Sequence, residues 1–156
     1  MEGHRQFGLL VAMCAIALGA SGAGQSSPGT PDRPSEPPRI QLDDFRRLQA
    51  AGAVLIVDVR DVTAFKRGHI PHAISVPLDQ IEARAAEIEV RARQRPIVTY
   101  CSCPNDHASA SAAALLTSRG LHDVRALAGG LPAWLAAGGS LLRGGLVSQE
   151  LPKRLF

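Results

Sequence analysis

The chain of 156 residues is poor in aromatics, at 4%, and holds one tryptophan, one tyrosine and three cysteines. Three cysteines in this length are too few for a small secreted scaffold held together by disulfides. Charge of one sign is also missing: 17 Lys and Arg stand against 14 Asp and Glu, interleaved along the chain, for a net charge of +3. No basic run or stripe marks a nucleic-acid surface, so nucleic acid is not expected as a partner. Internal repeats are lacking. So is a long apolar run: the longest, FGLLVAMCAIAL at 7–18, falls short of the roughly 18 to 20 residues that span a bilayer. What is present is a 46% hydrophobic content, mostly Ala, Val, Ile and Leu. That suffices for the core of one ordinary globular domain and excludes global disorder.

The two ends differ from the middle. Residues 1–23 have the layout of a secretory signal peptide: a short polar start with Arg5, the apolar run, then small residues with a cleavage site expected after Ala23. An uncleaved membrane anchor is the alternative. Export to the periplasm or the medium follows, with no membrane span after cleavage. The stretch QSSPGTPDRPSEPP at 25–38 holds five prolines in fourteen residues. Proline fixes φ and removes donors, so residues 24–38 are expected as an extended linker. Residues 140–156 show no period and are expected as a peripheral tail. Cleavage removes Cys14, which leaves two cysteines, Cys101 and Cys103, in one Cys-x-Cys loop.

Between 39 and 139 strand and helix signals alternate. Leu42, Phe45 and Leu48 recur at helical spacing until Gly52, and VLIVDV at 54–59 is a buried strand. A short strand follows at 73–76. Leu78, Ile81, Ala85 and Ile88, spaced by three and four, predict an amphipathic helix. IVTY at 97–100 is a strand running into Cys101, 108–119 an Ala- and Leu-rich helix stopped by Gly120, and 124–127 a last strand. Residues 131–137 form a final helical turn or two, with Trp134. Strands separated by helices predict an α/β fold with parallel pairing through right-handed crossovers. Ligand sites in such sheets lie beyond the carboxyl ends of the strands, where Asp58 and Cys101 fall.

The loop Cys101-Ser102-Cys103-Pro104-Asn105-Asp106-His107 joins that strand to the helix after it. Unpaired N–H groups and the positive dipole end at a helix start favour an anion, so a thiol there is expected to be acidified and nucleophilic. A buried structural cysteine is the other reading.

Four motifs now form a pattern: LIVDVR at 55–60, FKRGHIPHAISVP at 65–77, IVTYC at 97–101 and LAGGLPAW at 127–134. In this order and spacing they resemble a single rhodanese-like domain over 39–139. The resemblance implies a parallel-sheet domain with helices on both faces, and sulfurtransferase activity. The cysteine matching Cys101 would attack a sulfane-sulfur donor, hold the sulfur as a persulfide and pass it to a thiol or other thiophilic acceptor. A small sulfur-donor anion or persulfide and a thiol acceptor are the partners implied, and no cofactor is. Loop residues Ser102, Asn105 and Asp106, with Arg60, are the candidate substrate contacts. Arg60 is expected to pair with Asp58 or to face an anionic donor. Asp58, His69 and Trp134 are expected to be structural: a turn carboxylate, a turn histidine and a core aromatic.

The loop departs from the family's Cys-x-x-Gly-x-Arg. Pro104 stands at the glycine position and Asp106 at the arginine position, and the loop is about two residues longer. Without a bidentate arginine clamp, thiosulfate fits poorly as donor. Asp106 either caps the next helix or acts as a site carboxylate. His107 is a candidate stabiliser of the thiolate or donor, and Cys103 a candidate resolving thiol. The spacing Cys101-x5-His107 also copies the phosphatase loop, but a histidine in place of arginine offers far fewer donors. Three ligands within seven residues fall short of a zinc site, so no metal is expected. The second functional class is a catalytically weak domain acting as a redox-sensing, sulfur-carrier or binding module in the cell envelope.

Overall fold

The computed structural model describes residues 37–144. The expected signal peptide at 1–23, all but the last two residues of the linker at 24–38, and the tail beyond 144 lie outside the described residues. Within them the order is β1 (Arg39–Ile40), α1 (Leu42–Ala50), β2 (Leu55–Asp58), α2 (Val62–Arg67), β3 (Ala73–Ser75), a 3-10 turn (Leu78–Gln80), α3 (Ala85–Ala92), β4 (Ile97–Tyr100), α4 (His107–Ser118), β5 (Val124–Leu127) and α5 (Gly130–Ala136). The strands form one parallel sheet in the order β1-β5-β4-β2-β3. This is the α/β architecture expected, with the most apolar strands, β2 and β4, side by side at its centre.

Strand alternation divides the core into two layers. Leu55, Val57 and Ile97 point to one face and pack with Ile88 of α3 and Ala112, Ala113 and Leu116 of α4. Ile56, Val98 and Tyr100 point to the other and pack with Phe45 of α1 and Leu131 and Trp134 of α5. The period of two continues past the last strand residue, so Cys101 falls on the α4 side and Tyr100 on the α1–α5 side. Fully burying a Phe45- or Leu116-sized side chain contributes about 1.5–3 kcal/mol, which is how a chain so poor in aromatics holds together.

Three local features differ from the sequence expectation. The helix expected through Leu78, Ile81, Ala85 and Ile88 is broken into the 3-10 turn and α3. Ile81, Ala85, Ile88 and Ala92 are all buried, so the periodicity located the face correctly while leaving the hydrogen-bond pattern unspecified. At the break, Arg84 holds Glu87 at 2.9–3.0 Å and donates to the Ser75 carbonyl at 3.2 Å. Helix α2, which the apolar pattern did not reveal, is started by Asp61, whose carboxylate accepts the Ala64 N–H at 2.8 Å. Strand β1, two residues long, is too short to show a period. Residues just beyond 139 also pack onto the domain: Leu142 bridges His69 through backbone bonds of 2.9 Å in both directions, and Trp134 Nε1 donates to the Ser140 carbonyl at 2.9 Å.

Candidate active site

Strand β4 delivers Cys101 to the carboxyl edge of the sheet, where the chain must turn into α4. The Cys101 carbonyl accepts the Leu131 N–H of α5 at 2.8 Å. That bond depends on Gly130, at φ 48°, because a Cβ there would lie 2.4 Å from the Cys101 oxygen. A tight turn then places Asp106 at φ 55° with its N–H 3.3 Å from the Cys103 carbonyl. The Asp106 carbonyl accepts the Ala110 N–H at 2.8 Å and the Ser109 hydroxyl at 2.9 Å. The Ser109 Oγ also stands 3.6 Å from Cys101 Sγ.

The two thiols, both free, are unequal. Cys101 is 2% exposed and part of the α4-side core. Burial first, then the hydrogen bond it gives Cys103, push its pKa up. The N–H of Cys103 and the hydroxyl and N–H of Ser109 only partly oppose that rise. Cys103 is half-buried. Burial alone would raise it too, but the hydrogen bond from Cys101 and the N–H groups of Ala108, Cys103 and His107 outweigh burial and hold it below the ordinary thiol range. The acidified thiol of the loop is therefore Cys103, while Cys101 is shifted the other way. The reason is depth: Cys101 sits beneath the first turn of α4, Cys103 at the mouth of its unpaired N–H groups.

Asp106 is also reassigned. It neither caps α4 with its side chain nor faces the exposed loop. Its left-handed backbone turns the carboxylate inward, where Oδ2 accepts the Gly129 N–H at 2.9 Å and Oδ1 is buried with no hydrogen-bond partner. The residue ties the cysteine loop to the β5–α5 turn. Ser102, Pro104, Asn105 and His107 are exposed on the rim, His107 as the first residue of α4.

The neighbouring strand end is closed. Asp58, fully buried, accepts the Arg60 N–H at 3.0 Å, Arg60 Nε at 2.9 Å and Nη2 at 2.5 Å, and the Tyr100 hydroxyl at 2.6 Å. Arg60 Nη2 also donates to the Gly68 carbonyl at 2.8 Å, and the Tyr100 oxygen accepts the Ile70 N–H at 3.1 Å. Burial and then the Asp58 charge push the Tyr100 pKa far up, so the phenol stays a donor. Of the two roles expected for Arg60, the structure holds pairing, with Nε and Nη2 on Asp58 and Nη2 also on the Gly68 carbonyl. His69 is buried, stacked on Phe65 with centroids 3.7 Å apart, and its Nδ1 lies 3.0 Å from the Phe65 carbonyl. Trp134 packs edge-on against Phe45 at 5.9 Å, and Gly139 leaves it room, since a Cβ there would lie 2.2 Å from the indole.

Sequence reasoning missed Ser109 and Tyr100. Both carry a readable signal. Ser109 lies three, four and seven residues before Ala112, Ala113 and Leu116, on the buried face of an Ala-rich helix, where a hydroxyl needs a partner. Tyr100, the chain's one tyrosine, alternates inward beside Val98. Among the described residues no group of three or more His, Cys, Asp or Glu side chains is placed to hold a metal ion, and no helix is long and apolar enough to cross a membrane.

Comparison with known proteins agrees with this fold. The sequence model of the Rhodanese-like domain family matches residues 41–137. The chain is 36% identical over 98 residues to the thiosulfate sulfurtransferase GlpE of Pseudomonas savastanoi pv. phaseolicola, covering 63% of this chain and 87% of that protein. Among solved structures, the BH2092 protein from Bacillus halodurans superposes with a TM-score of 0.61 at 30% identity, over 69% of this chain and 77% of that one. The human single-domain sulfurtransferase TSTD1 superposes at 0.54 with 25% identity, over 64% of this chain and 96% of that one.

Proposed function

The chain belongs to the rhodanese-like domain family, and we propose that it works there as a sulfurtransferase, moving a sulfane sulfur through a Cys101 persulfide to a thiol or another thiophilic acceptor. The observation that carries this reading is the pair of free thiols in the loop between β4 and α4, at the carboxyl edge of a parallel sheet. A thiolate of the loop attacks the sulfane sulfur, the donor's S–S bond breaks, and the donor's remainder leaves with the electron pair. The acceptor then attacks the terminal sulfur of the persulfide and the protein thiolate is regenerated. Backbone N–H groups at the start of α4 supply the stabilisation of negative charge that an arginine clamp would otherwise give.

The donor proposed is a low-molecular-weight persulfide or polysulfide. Thiosulfate is a dianion that calls for a bidentate cation, the loop has no arginine, and Arg60 is held by Asp58 and the Gly68 carbonyl. Incubating the full chain with sodium tetrasulfide, then taking its intact and peptide masses, tests the reading. One added sulfur atom on the peptide carrying Cys101 and Cys103, absent from Cys101→Ser/Cys103→Ser, is the expected result; an unlabelled loop in the wild type overturns it. Export is part of the proposal, on the layout of residues 1–23. N-terminal sequencing of the secreted chain is expected to begin near Gly24, and a start at Met1 contradicts it.

A further inference from the structure

We propose that Cys103 is the entry thiol: it takes the sulfane sulfur from the donor first and hands it to Cys101, which stores it. The inference rests on the sulfurtransferase reading and adds an order of events and a second catalytic cysteine. It stands on depth. Cys101 is 2% exposed and packed in the α4-side core, so a donor meets its sulfur less readily than that of half-buried Cys103. Cys103 is half-buried, packed on one side against the same core as Cys101 and bordered by exposed Ser102, Pro104, Asn105 and His107 on the other. It is the more exposed of the two thiols, and the two are close enough for each to shift the other's acidity.

Acidity points the same way. The more acidic thiol of the pair is the one more ionised near neutral pH, so Cys103 presents the larger thiolate fraction to a donor. A more acidic thiol is also the better leaving group, which favours passage of the sulfur inward. In the first step Cys103 Sγ bonds the donor's sulfane sulfur, the donor's S–S bond breaks, and its remainder departs with the pair of electrons. In the second, Cys101 Sγ bonds that same sulfur and the bond to Cys103 Sγ breaks. The electron pair returns to Cys103, and the one proton carried by Cys101 stays within the pair. The sulfur moves as a neutral atom in both steps, so no outside oxidant or reductant is consumed. Release to an acceptor thiol runs the two steps in reverse. Storage on the buried sulfur then shields the persulfide from bulk thiols that do not dock at the loop.

The test is time-resolved loading of the full chain by limiting sodium tetrasulfide, quenched by alkylation and mapped by peptide mass. The wild type is expected to end with the extra sulfur on Cys101. Cys101→Ser is expected to load at its rate but to keep the sulfur on Cys103 and lose it faster to added glutathione. Cys103→Ser is expected to load at least about tenfold more slowly. Loading of Cys103→Ser at the wild-type rate overturns the relay and leaves the Cys101 persulfide reading standing. A wild type that never loads overturns the sulfurtransferase reading itself. If Cys103→Ser does not fold, the order of iodoacetamide labelling in the wild type decides: Cys103 first supports the relay, Cys101 first overturns it.

Discussion

Strands β2 and β4 lie side by side, with Asp58 opposite Tyr100 in register, yet their carboxyl ends are built to opposite purposes. At the end of β2 the charged groups are paired: Asp58 accepts from Arg60 and Tyr100, and Arg60 donates to the Gly68 carbonyl. At the end of β4 two thiols are free, one carboxylate oxygen is buried without a partner, and α4 begins with N–H groups turned toward sulfur. One end is a clamp that fixes the sheet edge; the other is a loop with free thiols, joined to that clamp through Tyr100, the residue preceding Cys101. Position at a strand end marks a site only when the groups there are left unspent.

The comparison predicts a graded set of effects. Asp58→Ala leaves the half-buried guanidinium of Arg60 and the buried Tyr100 hydroxyl without their carboxylate acceptor and is expected to cost about 3 kcal/mol in equilibrium denaturation; a loss under about 1 kcal/mol breaks the clamp half of the comparison. Gly130→Ala places a side chain at positive φ against the Cys101 carbonyl and is expected to cost about 1–3 kcal/mol. Because the loop must shift, sulfur loading should fall with it. Unchanged stability and loading would show that the α5 turn does not position the cysteine.

Smaller effects sharpen the other half. Thiolate forms above the pKa, so Cys103, held low, is expected to label with iodoacetamide at lower pH than a free thiol of pKa about 8.5, and Cys101 at higher pH. Cys101→Ala removes the neighbour that helps hold Cys103 low and should move the Cys103 profile upward. Coincident wild-type profiles would erase the difference in acidity between the two thiols. The smallest effect is expected from Ser109→Ala, a stability change of about 1 kcal/mol or less with a slight further rise of the Cys101 profile.

Much of this was legible in the chain. The apolar runs of 54–59 and 97–100 and the helical spacing in 108–119 gave the parallel sheet and put Cys101 at a strand end, because buried strands and amphipathic helices are written in local periodicity. The break at Arg84 and helix α2 were not legible: both are set by single polar side chains, Arg84 and Asp61, whose partners do not follow from apolar spacing. The site was legible in membership but not in depth. Sequence placed Cys101, Cys103, Asp106 and His107 in one loop, but the left-handed turn at Asp106 sends the carboxylate toward Gly129. That turn falls on an aspartate, a residue type found there less often than glycine, so no local signal announced it.

The central claim is that the cysteine loop carries sulfane sulfur while the adjoining strand end only supports it. Sulfur transfer from tetrasulfide to dithiothreitol, followed as hydrosulfide release by the wild type and by Cys101→Ser/Cys103→Ser, tests this most directly. The account predicts turnover in the wild type and the uncatalysed rate in the double variant. A double variant that keeps the wild-type rate would contradict it.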